Sequence, residues 1–221
     1  SPEEHLVHIK QTIDYALSRD FTVNLYLEDW SSGMRDSRDY LFTMMDELVK
    51  LPIKRFLLPD TLGILNPLQC VEYMRQMVRR YPNSHFDFHA HNDYDLAVSN
   101  SLAAVLSGAK GLHVTVNGLG ERCGNAPLAS VQVILKDMFE AKTNIKEDRL
   151  NDISRLVEGY SGIAVAPNTP VVGDNVFTQV AGVHADGDNK DKLYCNDLVP
   201  ERFGRHREYA LGKNSGKANI I

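Results

Sequence analysis

His89-Ala90-His91 is the sharpest chemical signal in the chain. In a strand, residues i and i+2 face the same way, so two imidazoles can reach one cation at the roughly 2.0–2.1 Å of a zinc–nitrogen bond. By the same parity Asp87 shares that face, while Phe86 and Phe88 fall on an apolar one. Asn92 and Asp93 follow at once and are expected to brace the imidazoles, as metal-ligating histidines require. The blander alternative is a pair of hydrogen-bonded histidines near a strand end. Glu28 closes an otherwise apolar run and is either a solvated strand end or an acid/base group. Thr61, after Pro59-Asp60, reads as a turn hydroxyl. The loop from Gly118 to Asn125 places its glycines one residue off the dinucleotide fingerprint, with no acidic residue about twenty positions on to close such a unit, which excludes nucleotide binding there. Its backbone N–H groups and Asn125 could instead ligate a cation or hold a carboxylate.

These residues matter only if the fold gathers them, and ligand sites in parallel α/β sheets lie at the carboxyl ends of the strands. Up to about residue 140, amphipathic stretches alternate with short β-rich runs, the mark of βα units around a parallel sheet. A first helix from Ser1-Pro2 to near Arg19 carries Leu6, Ile9, Ile13 and Leu17. Strands are predicted over Phe21–Glu28, Arg55–Leu58, His85–His91 and Leu112–Asn117. Between them come a helix with Tyr40, Met44, Met45 and Leu48, one capped by Asn66-Pro67 with Met74 and Met77, and a small-residue helix over Leu96–Leu106. The methionines are expected to fill the core. Pro127 opens a helix to about Phe139. From Thr143 a charged helical stretch and a Gly/Pro/Asn-rich link lead into irregular sequence, where Asp186 to Lys190 reads as a solvated loop.

The composition is that of a soluble globular protein of 221 residues, with 43% hydrophobic and 24% charged side chains. A net charge of −5 offers no basic field for a phosphate backbone, so no nucleic-acid partner is expected. No run of eighteen apolar residues and no signal peptide is visible, so neither membrane insertion nor secretion is expected and the chain reads as cytoplasmic. Cys70, Cys123 and Cys195 form no CxxC pair and read as reduced thiols.

Five motifs together resemble a known family. Leu27-Glu28-Asp29, Leu58-Pro59-Asp60-Thr61-Leu62-Gly63, His89-Ala90-His91-Asn92-Asp93, Asn117 through Asn125 and Ala181-Gly182-Val183-His184-Ala185 occur in the order and spacing of the 2-isopropylmalate, homocitrate and citramalate synthases. Among these the chain looks most like the 2-isopropylmalate synthases. The superfamily is that of metal-dependent TIM-barrel lyases and Claisen-condensing enzymes. The resemblance implies condensation of acetyl-CoA with a 2-oxo acid, 2-oxoisovalerate in the leucine-pathway case, followed by thioester hydrolysis that releases CoA. His89, His91 and Asn125 would hold a divalent metal, zinc, manganese or magnesium. Thr61 would bind the substrate carboxylate, and Glu28 and His184 would form the acid/base machinery with Tyr209 assisting. By itself a histidine in Gly-Val-His-Ala is more often structural.

The family's first strand, with an Arg-Asp-Gly-Glu-Gln segment and an acidic metal ligand, has no counterpart here. The expected fold is therefore the C-terminal half of a (β/α)8 barrel over 1–142, in a chain that is a fragment or continues at both ends. A linker subdomain over 143–221 would reach the active site of a partner subunit in a homodimer. The alternatives are a lyase or aldolase on the same metal platform and a non-catalytic binding module.

Overall fold

The computed structural model describes residues 2–190, 196–217 and 220, without the side chains of 185, 188 and 189. Ser1 of the anticipated N-terminal cap and Cys195 lie outside them. The chain forms two compact units, 1–126 and 127–221. The division expected near 143 falls earlier because the helix over Leu128–Phe139 buries Ala129 and Val133 with Leu150, Val171, Val172, Phe177 and Phe203.

In the first unit, α1 (Pro2–Leu17), β1 (Val23–Tyr26), α2 (Trp30–Asp36), α3 (Arg38–Leu48), β2 (Ile53–Asp60), α4 (Pro67–Arg80), β3 (Phe86–Ala90), α5 (Ala97–Leu106) and β4 (Gly111–His113) follow in order. The strands form one parallel sheet in the order β1-β2-β3-β4, as expected for successive βα units. In-register neighbours share a face. Phe56 lies beside Phe86 and Leu58 beside Phe88, on the side where Trp30 meets Phe88 edge-on. Met44, Met45, Met74 and Met77 are buried, as their helical spacing predicts. Asn66 and Gln69 cap α4 reciprocally, side chain to backbone N–H, at 2.9 and 3.1 Å.

Three boundaries differ from the sequence reading. β1 is shorter than Phe21–Glu28, with Phe21 exposed before it and Glu28 free of the ladder after it. β2 runs through Pro59-Asp60 instead of turning there. Pro59 is tolerated because its nitrogen lies on the β1 side, beyond the last ladder bond from Leu27 N–H to the Leu57 carbonyl. β4 stops at His113, and a single 3-10 turn follows at Val116–Gly118. The helix α2 was not anticipated; it is too short to show a period.

In the second unit, α6 (Leu128–Phe139) and α7 (Leu150–Ser161) carry the core, and α8 (Gly182–Asn189) lies between two short parallel strands, β5 (Thr178–Gln179) and β6 (Glu208–Tyr209). Asp186 to Asn189 are thus helical and not the expected solvated loop, with Asp186 paired to Lys190 at 2.7 Å. Order in this irregular sequence comes from arginines. Arg202 forks onto Asp137 at 2.9 Å and Glu147 at 3.0 Å, and Arg205 donates to the carbonyls of Gly173 and Asp174. Arg202 and Glu147 are largely buried, so Arg202→Ala strips Asp137 of this partner and leaves Glu147 with Lys136 alone, at 2.6 Å. A loss of about 3 kcal/mol in chemical denaturation is expected; an unchanged midpoint would remove the network from the unit's stability. Among the described residues no helix is long and apolar enough to cross a membrane.

Candidate functional site

Alternation places Asp87 and His89 on the face of β3 opposite Phe86 and Phe88, and register sets Pro59 and His113 on either side of His89. His91 follows the strand end and forms an isolated bridge with Asn125. The ring centroids of His89 and His91 lie 5.0 Å apart at 86°. The pair expected from sequence is therefore adjacent, at the carboxyl end of the sheet.

The glycine loop reaches His91 by close backbone approach. Asn92 N–H donates to the Gly124 carbonyl at 2.9 Å, and Asn125 N–H to that of Gly118 at 2.9 Å. Gly124 has φ +81°, and a Cβ there would collide with the Gly118 carbonyl, so the turn requires glycine. Asn125 is buried, its amide donating to the Leu119 carbonyl at 3.0 Å.

Beside them, Thr61 donates to Glu28 Oε1 at 2.8 Å and accepts from the Asp29 N–H at 3.0 Å. Arg122 binds the Thr61 carbonyl at 2.7 Å and forks onto Asp93 at 2.7 and 3.0 Å, tying three strand-end loops together. Asp93 is thereby held below the usual carboxylate range. Here the sequence expectation fails: Asn92 and Asp93 do not brace the imidazoles. Asn92 caps α5 through Ala97 N–H at 3.1 Å and meets Asp95, and Asp93 serves Arg122.

Among the described residues, the buried polar atoms without a hydrogen-bond partner include His89 Nδ1, His91 Nδ1 and Asn125 Oδ1, as well as Asp29 Oδ1 and Thr115 Oγ1. Burial and the neighbouring His91 and His113 push the His89 imidazole down to about 4, so at neutral pH it is uncharged with a free lone pair. Orphaned imidazole nitrogens and an amide oxygen suit a divalent cation. Among the described residues no three His, Cys, Asp or Glu side chains gather in a metal-binding group, so this donor set is two imidazoles and one amide.

His184 and Tyr209 belong to the second unit. His184 is exposed on α8, its N–H bonded to the Ala181 carbonyl at 3.1 Å, and Tyr209 is exposed on β6 beside Gln179. Sequence reasoning missed Tyr26, His113 and Arg122. The first was visible by parity, two residues before Glu28; the others show only through register and loop closure.

Similar proteins frame this geometry. A Methanopyrus kandleri protein named as an (R)-citramalate synthase is 37% identical over 221 residues, 99% of this chain and 42% of its own length. A homocitrate synthase of Saccharolobus islandicus is 42% identical over 215 residues, 97% of this chain and 46% of its own. The chain thus spans less than half the length of these curated relatives. The HMG-CoA lyase of Bacillus subtilis superposes with a TM-score of 0.68 at 23% identity, covering 78% of this chain and 60% of that one, a likeness of fold. The HMGL-like family model matches residues 1–157, and the chain belongs to that family.

Proposed function

We propose that this chain contributes the strand-end half of the active site in an acyltransferase that condenses acetyl-CoA with a 2-oxo acid. The reading rests above all on His89 Nδ1, His91 Nδ1 and Asn125 Oδ1 being buried without partners, next to a carboxylate and a hydroxyl already joined at 2.8 Å. Relatives named for homocitrate and citramalate formation support it. His89 and His91, with Asn125, would hold a divalent cation, zinc, manganese or magnesium, which would supply Lewis-acid polarisation of the 2-oxo acid's ketone.

The chain's own residues do the rest. Thr61 orients the substrate carboxylate with its hydroxyl, and the Arg122 clamp on its carbonyl keeps the threonine from drifting. Glu28 is the nearest carboxylate to that hydroxyl and takes a proton from the acetyl methyl. His184, assisted by Tyr209, handles the charge that develops on the acceptor, supplied by the second unit of a partner subunit in a homodimer. The barrel's remaining strands would come from outside this chain.

The sequence resemblance favours 2-oxoisovalerate, giving 2-isopropylmalate; the relatives' names point to homocitrate or citramalate chemistry instead. An apolar pocket separates side chains that differ by one methylene by only about 1–3 kcal/mol, so the choice is one of degree. Thiol release from acetyl-CoA, followed over a panel of 2-oxo acids with the complete polypeptide, decides among them. Release with one member well above the others is the expected outcome. No release with any member, together with carbon–carbon cleavage of an acyl-CoA, would move the protein to the lyases.

A further inference from the structure

Tyr26 on β1 and His113 on β4 meet across the sheet, the phenol oxygen 2.7 Å from His113 Nδ1. Two strands lie between them. In a flat sheet the outer strands would stand about 14 Å apart, so the pair spans a sheet curled toward this face. On the far side of the imidazole, His113 Nε2 is 3.6 Å from Asp87 Oδ2. Asp87 is only 2% exposed, and it also accepts from His85 Nε2 at 2.8 Å and Arg55 at 3.2 Å. Gly111, its register neighbour, leaves the space: a Cβ there would stand 2.8 Å from Asp87 Cγ.

The His89 ring touches two members of this chain of contacts. Tyr26 meets it edge-on with centroids 6.5 Å apart at 79°, and His113 at 6.0 Å and 70°. Among the described residues neither ring nitrogen of His89 makes a hydrogen bond, so the nitrogen that does not ligate has no partner to set the imidazole's orientation. Flanking rings replace it.

We propose that Tyr26, His113 and Asp87 form a positioning tie that fixes the His89 imidazole for cation binding, an inference resting on the reading of His89 and His91 as the metal pair. None of the three is assigned as a ligand. The Tyr26 phenol, 2.7 Å from His113 Nδ1, donates its O–H. His113 Nδ1 accepts, which leaves Nε2–H turned toward Asp87.

The test uses the complete polypeptide stripped of metal and titrated with Co2+, followed by its visible bands, with the thermal midpoint of each metal-free variant measured in parallel. Tyr26→Phe and His113→Leu should each weaken Co2+ binding about tenfold or more and shift the bands. His113→Asn keeps an acceptor near the Nδ1 position but no flanking ring, so it should bind Co2+ more tightly than His113→Leu and less tightly than the wild type. Wild-type affinity and bands in Tyr26→Phe and His113→Leu would overturn the tie. A wild-type protein that binds no Co2+ would instead defeat the metal-pair reading. The tie is then judged on imidazole nitrogen spectra of the metal-free protein: His113 should be the Nε2–H tautomer with an Nδ1 resonance that moves in Tyr26→Phe, and an unmoved resonance overturns it.

Discussion

Replacing His89 and His91 together with alanine is expected to abolish divalent-metal retention, measured by elemental analysis of the complete polypeptide after exhaustive dialysis. Both Nδ1 atoms are buried and unbonded, so in the metal-free protein they carry a desolvation cost that a cation would relieve. His89, held neutral by its surroundings, needs no deprotonation to ligate near neutral pH. Without the two imidazoles this chain keeps only Asn125 of its proposed donors, a neutral amide that holds a divalent ion weakly. The substitutions fall opposite the Phe86 and Phe88 core, so far-ultraviolet circular dichroism should match the unsubstituted protein. Unchanged metal content would mean that the site lies elsewhere.

The second large effect belongs to the other unit. His184→Ala should lower turnover about 10^2- to 10^4-fold, the range of a lost general acid or base, while Co2+ affinity and 2-oxo acid binding persist. The residue is exposed on α8, an eight-residue helix whose fold does not depend on that ring for burial. A fall in kcat with KM little changed would identify an interaction made in the transition state. Near-normal turnover would return His184 to the structural role that its Gly-Val-His-Ala setting suggests when read alone.

What the sequence determined by itself is what local periodicity encodes. Two histidines two residues apart share a face wherever the segment is extended, and Asn66-Pro67 with Gln69 caps a helix wherever one starts. Methionines at helical spacing face the core, and four βα-like runs make a parallel sheet. Tertiary structure decided everything that depends on which distant residues become neighbours. Asp93 looked like a brace for the imidazoles and became a partner of Arg122, because a loop closure 29 residues away brought a guanidinium to it first. The Tyr26–His113 contact spans 87 residues and exists only because the sheet curls. Irregular sequence after Gly173 gained order from Arg202 and Arg205, whose partners lie up to 65 residues upstream. Period and capping act within a few residues along the chain; register, curvature and ion pairing are set by the packing of whole elements, and no short window of sequence contains them.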